Sequence, residues 1–215
     1  MSDFSLMLPP GQTLEALAAQ PDLPPWGALQ IDFASALSRA LMSAPAARAH
    51  PELMALGYWL RPGHLQPMLE RLRLSHAQTA LLPRGLVFHL APGNVDTIFV
   101  YSWMLSLLCG NRSIVRLSSR ASAGTDALLA VLGELLAQPA WQAIAQCVVF
   151  VRYEHDDAIT ARLSAACDMR VIWGGDATVN TVRALPLPPH ATELCFPDKF
   201  SLTVLRASAV GALAP

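Results

Sequence analysis

Three short segments hold the residues whose types and spacing could do chemistry. In APGN, residues 91–94, Gly93 permits close backbone approach and Asn94 offers an amide donor beside a predicted helix start. Such a donor could hold a phosphate or a developing oxyanion. Asn is also a frequent helix cap, and on spacing alone both readings are open. In SSRAS, residues 118–122, Ser118 and Ser119 are flanked by Arg116 and Arg120. Dinucleotide sites place an acid after the second strand to bind the ribose 2′-hydroxyl, whereas Arg and small polar residues accommodate a 2′-phosphate. No acid stands here, so a dinucleotide would be NADPH rather than NADH; the alternative is a solvated Arg before a Ser-rich helix start. In WGGDA, residues 173–177, Gly174 and Gly175 precede a predicted helix, where exposed N–H groups suit a pyrophosphate. A tight left-handed turn would explain both glycines equally well.

Other chemistries find little support. The chain has no GxGxxG fingerprint and no GxSxG elbow. Its four cysteines, Cys109, Cys147, Cys167 and Cys195, show no metal-ligand spacing, so no metal site is expected and reduced, cytoplasmic thiols are. Cys109, Cys147 and Cys167 read as packing residues. Cys195, in ELCFPDKFS, is the one candidate thiol nucleophile near the loops of interest. His89 lies inside a predicted strand and reads as a hydrogen-bonded core residue, while His155 and His190 lie in loops with no partner visible.

These residues need elements to hold them, and the pattern changes character near Pro83. Before it, helices are predicted over residues 13–20, 29–43, 51–60 and 64–74, punctuated by Pro45, Pro62 and a linker at 21–26 that contains three prolines. No strand is expected in that stretch. After it, strands at 86–90, 113–117, 147–151, 169–173 and 200–205 alternate with helices at 95–109, 123–138, 156–166 and 176–185. Alternation of this kind predicts a parallel, doubly wound sheet, and the continuous apolar runs fit strands covered on both faces. Ligands bind outside the carboxyl ends of such strands, which directs attention to loops 91–95, 118–123, 152–156 and 174–177.

Composition narrows the classes further. With 215 residues, 53% hydrophobic and only 14% charged, the chain can bury a substantial core and is no disordered tail. A net charge of −1 offers no footprint for nucleic acid. The apolar run at 95–109 is interrupted by Asp96, Tyr101, Ser102 and Ser106 and is shorter than the about 20 residues of a membrane span, so no span is expected. The N-terminal residues lack the basic and apolar regions of a signal peptide.

Taken together, HPELMALGYWLR (50–61), GLVFHLAPGNVDTIFVYSWMLSLLCGNRSIVRLSSRAS (85–122), VIWGGDATV (171–179) and FPDKFSLTVL (196–205) resemble the LuxC-type acyl-CoA reductases of the aldehyde dehydrogenase superfamily. The order of the blocks is more specific than any one of them. The resemblance implies an α/β fold: a helical N-terminal layer, residues 1–82, followed by an NADP-binding domain, residues 83–215. That domain would be a doubly wound, mostly parallel Rossmann-like sheet of the aldehyde dehydrogenase type.

The implied activity is NADPH-dependent reduction of a fatty acyl group, delivered as acyl-CoA or an activated acyl, to an aldehyde through a cysteine thioester. Asn94 matches the family's oxyanion donor. Ala91, Pro92 and Gly93 with Arg116, Ser118, Ser119 and Arg120 match the cofactor-binding loops, Arg116 standing where the superfamily usually has Lys. Gly174 and Gly175 match the turn against the pyrophosphate. Lys199, the chain's single Lys, matches the Lys of the segment the superfamily writes ELGGK. Ungapped counting from it puts Cys195 where hydrolytic relatives carry their Glu base, and a small gap would put Glu193 there instead. The nucleophilic Cys of the family follows the lysine segment, and none of the four cysteines matches it. The expectation is therefore a cofactor-binding part without the catalytic Cys domain, inactive alone and prone to self-association through an uncovered interface. A non-catalytic nucleotide- or partner-binding module derived from the same fold is the alternative.

Overall fold

The computed structural model describes residues 4–120, 122–197, 199, 202–204 and 206. It opens with a strand, β1 (Ser5–Leu8), and helices α1 (Leu14–Ala18), α2 (Ala28–Ser43), α3 (Pro45–Arg48), α4 (Pro51–Trp59) and α5 (Pro62–Ser75). Pro45, Pro51 and Pro62 each occupy a helix's first turn, where a missing N–H costs nothing. The rest alternates: β2 (Leu86–Leu90), α6 (Ile98–Leu108), β3 (Arg112–Leu117), α7 (Ala123–Leu136) and, after a single helical turn at Pro139–Trp141, α8 (Gln142–Gln146). There follow β4 (Val148–Arg152), α9 (Asp157–Ala165), β5 (Met169–Trp173), α10 (Asp176–Arg183) and β6 (Thr192–Phe196).

The strands form one six-stranded sheet in the order β1-β4-β3-β2-β5-β6. All neighbours run parallel except β1, which pairs antiparallel with β4. Strand β2 is buried along its whole length, as a central strand with two neighbours and two covered faces must be. On one face, Val115, Leu117, Val148 and Phe150 pack with apolar residues of α2 to α8, centred on Phe33 and Trp103. On the other, Phe88, Ile114, Val149 and Ile172 pack with Leu17 of α1, Ile159 and Leu163 of α9, and Val179 and Val182 of α10. The N-terminal helices thus share a core with the sheet.

Two departures from the sequence reading concern strands. Residues 5–8 form a strand although none was expected before Pro83; SLML is too short to show a period and acquires its conformation by pairing with β4. The fifth parallel strand is Thr192–Phe196, not 200–205. Residues 202–204 belong to no strand, and 200, 201 and 205 lie outside the described residues. As an edge strand β6 is only partly buried, so TELCF lacks the continuous apolar run of the inner strands. Among the described residues no single helix is long and apolar enough to cross a membrane.

Candidate functional site

The chain leaves β2 for α6 on one face of the sheet and β5 for α10 on the other, although β2 and β5 are neighbours. Divergence at adjacent carboxyl ends opens a crevice, as in other doubly wound sheets. A cleft of about 900 Å³ lies there. It is lined by Ala91, Pro92, Gly93 and Asn94, by Arg116, Ser118, Ser119 and Arg120, and by Gly174 and Gly175, so the three segments separated in sequence are brought to one place. His155 and Asp156 of the β4–α9 connection and Asp157 and Thr160 of α9 also line it. Sequence reasoning marks the 152–156 loop by its place after a parallel strand but gives none of these four residues a role in the site.

Asn94 is exposed and does not cap α6: the capping position is Thr97, three residues later. The helix begins later than the apolar run suggested because residues 91–97 form a turn that carries Asn94 into the cleft. Gly93 presses on the neighbouring loop, since a Cβ there would sit 2.5 Å from Ser118 Oγ. Ser118 Oγ in turn accepts the Arg120 amide at 3.1 Å, and the Arg120 residue is exposed.

Arg116 is 9% exposed. Its guanidinium lies 4.7 Å from the centre of the Tyr153 ring, and Nη2 donates to the Tyr153 carbonyl at 3.2 Å. Its buried Nε has no acceptor. A fixed guanidinium with an unspent donor at the cleft wall suits a ligand rich in acceptor oxygens.

Neither Gly174 nor Gly175 adopts a positive φ, so the left-handed turn does not explain them. Gly174 donates its N–H to the Phe196 carbonyl at 3.3 Å, and a Cβ on it would lie 3.1 Å from Thr178. Gly175 is the N-cap of α10. At this end of the cleft the Trp173 and Phe196 rings stack, and the Trp173 indole N–H donates to Ser102 Oγ at 3.0 Å. The same Ser102 Oγ lies 2.8 Å from His89 Nδ1, so one hydroxyl is hydrogen-bonded to both side chains. Burial pushes His89 down to about 3, which keeps the ring neutral and able to accept.

The thiol candidate does not reach the cleft. Cys195 and Glu193 share the face of β6 opposite Phe196, where Cys195 packs against the α9–α10 core and its thiol donates to Glu193 Oε1 at 3.6 Å. Burial and the adjacent carboxylate raise the Cys195 pKa, the reverse of what a nucleophile needs. Glu193 Oε2 pairs with Arg170, and Oε1 accepts from Arg183 Nε at 2.9 Å. Ion-paired on that face, it does not line the cleft. Phe196 is the β6 residue that lines it.

Cys147 and Cys167 are buried as packing residues, whereas Cys109 is exposed at the end of α6, contrary to the packing reading. His190, which had no partner visible in sequence, meets Asp168 at 3.2 Å. Lys199 is exposed. Among the described residues no group of His, Cys, Asp and Glu could hold a metal ion.

A family model described as acyl-CoA reductase (LuxC) matches residues 65–214. A long-chain acyl-protein thioester reductase of Aliivibrio fischeri is 28% identical over 126 residues, covering 58% of this chain and 26% of the relative. A long-chain acyl-protein thioester reductase 2 of Photobacterium leiognathi is 28% identical over 137 residues, covering 60% and 28%. The chain therefore spans about a quarter of the length of these curated relatives. In fold it is similar to a NAD-dependent benzaldehyde dehydrogenase from Corynebacterium glutamicum, with a TM-score of 0.51 at 15% identity over 85% of this chain and 43% of that one.

Proposed function

The chain belongs to the LuxC acyl-CoA reductase family, and from that premise we propose that it supplies the NADPH-binding part of an enzyme reducing fatty acyl thioesters to aldehydes. In this reading residues 1–82 form the supporting region, of which β1 joins the sheet and α1 to α5 are helical, and 83–215 the cofactor-binding region. The observation that carries it is the convergence of Arg116, Ser118, Ser119 and Arg120 with the Gly93 and Gly174–Gly175 turns on one cleft at the sheet's switch point. The residues fit the cofactor: Arg116 keeps a buried Nε without an acceptor, and the Gly93 turn and the Gly174–Gly175 turn at the N-terminus of α10 both line the cleft.

Arg116 and Arg120 would hold the 2′-phosphate, with Ser118 and Ser119 donating hydroxyls. The Asn94 amide would donate to an oxyanion developing on the acyl carbonyl. Bound in the cleft, NADPH would supply the hydride. No cysteine of this chain lines the cleft, so the reading assigns the thiol that carries the acyl group to protein outside these residues. That same observation favours a second reading, a nucleotide-binding module without catalysis. The acyl donor would be acyl-CoA or another activated acyl. The reading also includes self-association in the cytoplasm through an uncovered interface at the edge strand β6, where Leu194 is exposed; a single monomeric species at all concentrations in sedimentation would contradict that part.

Calorimetric titration with NADPH, NADH and 2′-AMP tests the assignment. Saturable binding of NADPH and 2′-AMP, much weaker binding of NADH, and loss of that preference in Arg120→Ala are expected. Equal binding of NADPH and NADH would refute the phosphate site, and silence from all three in a folded chain would refute the cofactor role. Aldehyde formation that depends on Asn94 separates the enzyme from the module.

A further inference from the structure

Asp96 stands two residues beyond Asn94, yet its carboxylate is committed to another part of the chain. One oxygen accepts the Ser122 hydroxyl and the other accepts the Thr125 hydroxyl at 3.2 Å. Ser122 is the N-cap of α7, its Oγ accepting from the Thr125 amide, and Thr125 lies in the helix's first turn. Asp96 therefore ties the turn that carries Asn94 to the helix that ends the loop carrying residues 118–120. A helix start also favours a carboxylate through its exposed N–H dipoles.

The surroundings leave this carboxylate little freedom. A Cβ on Gly124 would sit 2.5 Å from Asp96 Oδ2 and 3.0 Å from Glu52 Oε1 of α4, so the absence of a side chain there is what admits Asp96. A second contact joins the same two loops, because Gly93 lies directly against Ser118. The Asp96 contacts span 26 and 29 positions of sequence, so they order the loops relative to one another.

We propose that Asp96 is a positioning residue that locks the Asn94 turn and the loop carrying residues 118–120 into one unit through Ser122 and Thr125, setting the reaction end and the 2′-phosphate end of the cleft together. The functional half of this proposal rests on the reading of the cleft as an NADPH site. The mechanical half does not.

Hydrogen exchange of the 215-residue chain, followed by mass spectrometry, tests the mechanical half without ligand. Asp96→Ala should speed exchange at residues 93–98 and 118–125 together, by about five-fold or more for each lost hydrogen bond, with β2 and β5 unchanged. Asp96→Asn should restore protection, because its amide oxygen still accepts from Ser122 and its NH2 can donate to the Thr125 hydroxyl. No change, or loosening confined to 93–98, would overturn the lock. Ser122→Ala and Thr125→Val each remove one donor and carry the same comparison if Asp96→Ala does not fold.

Titration with 2′-AMP, which carries only the adenosine and phosphate end, tests the functional half. Weaker binding in Asp96→Ala with recovery in Asp96→Asn is expected, although Asp96 is remote in sequence from Arg116 and Arg120. Unchanged affinity would overturn the coupling even if exchange rises. A wild-type chain that ignores 2′-AMP, NADPH and NADH alike would instead overturn the cofactor reading and with it the functional half, while exchange still decides the lock.

Discussion

Trp173 and Phe196 stack across the adjacent strands β5 and β6, their ring centres 3.8 Å apart and their planes 9° from parallel. The contact holds one wall of the cleft, and Ser102 fixes the edge of the Trp173 indole from α6. Ser102 also meets the buried His89, so one hydroxyl bonds two side chains. Ser102→Ala leaves the His89 ring and the Trp173 N–H without their shared partner and should cost about 1–3 kcal/mol. Urea unfolding checks it, and an unchanged midpoint would show that the hydroxyl is not the anchor.

Gly93 and Ser118 should behave as one contact. A methyl group on Gly93 must displace the Ser118 side chain or part the two loops, at a cost of about 1–3 kcal/mol. Ser118→Gly made in the Gly93→Ala protein should recover most of that loss, a non-additivity that a four-protein cycle measures. Purely additive effects would place the strain elsewhere.

Removing either partner of the Arg170–Glu193 pair should be far more damaging than removing Arg183. Arg170 is 1% exposed, and in Glu193→Ala its buried charge would stand without a carboxylate, a loss of about 3–5 kcal/mol. Arg183 is 61% exposed on the same carboxylate, so Arg183→Ala should cost under about 1 kcal/mol. Denaturant midpoints of the three proteins decide it. An indifferent Glu193→Ala would remove the structural role assigned to that residue.

His89 should shape the acid limb of stability. Burial lowers its pKa to about 3 in the folded chain from an ordinary 6.5. Between those values the unfolded chain binds the extra proton, so this contribution is complete above 6.5 and is lost as the pH falls toward about 3. One such proton gives a slope near 1.4 kcal/mol per pH unit. His89→Gln should show a shallower loss between about pH 6.5 and pH 4.5 in urea titrations than the wild type; parallel limbs would exclude His89 as the responsible group.

The inner parallel strands and most of the helices were legible in the sequence because each carries its own periodicity or apolar run. β2 to β5 fall within a residue of their predicted bounds, since strands covered on both faces are apolar throughout. The loops lining the cleft were legible for a topological reason: parallel strands joined by helices must present their carboxyl-end loops together.

What only the tertiary structure decided are relations between segments distant in sequence. β1 and β6 exist because a neighbouring strand offers unpaired N–H and C=O groups, a partnership that their own four or five residues do not encode. Asn94 is released from capping by the late start of α6. Cys195 and Glu193 turn away from the cleft because β6 pairs with β5 in the register that opposes Phe196 to Trp173, and a shift by one residue would reverse both faces. Asp96 meets Ser122 and Thr125 only when β2 and β3 lie side by side, which brings the loops at their ends within reach of a single carboxylate.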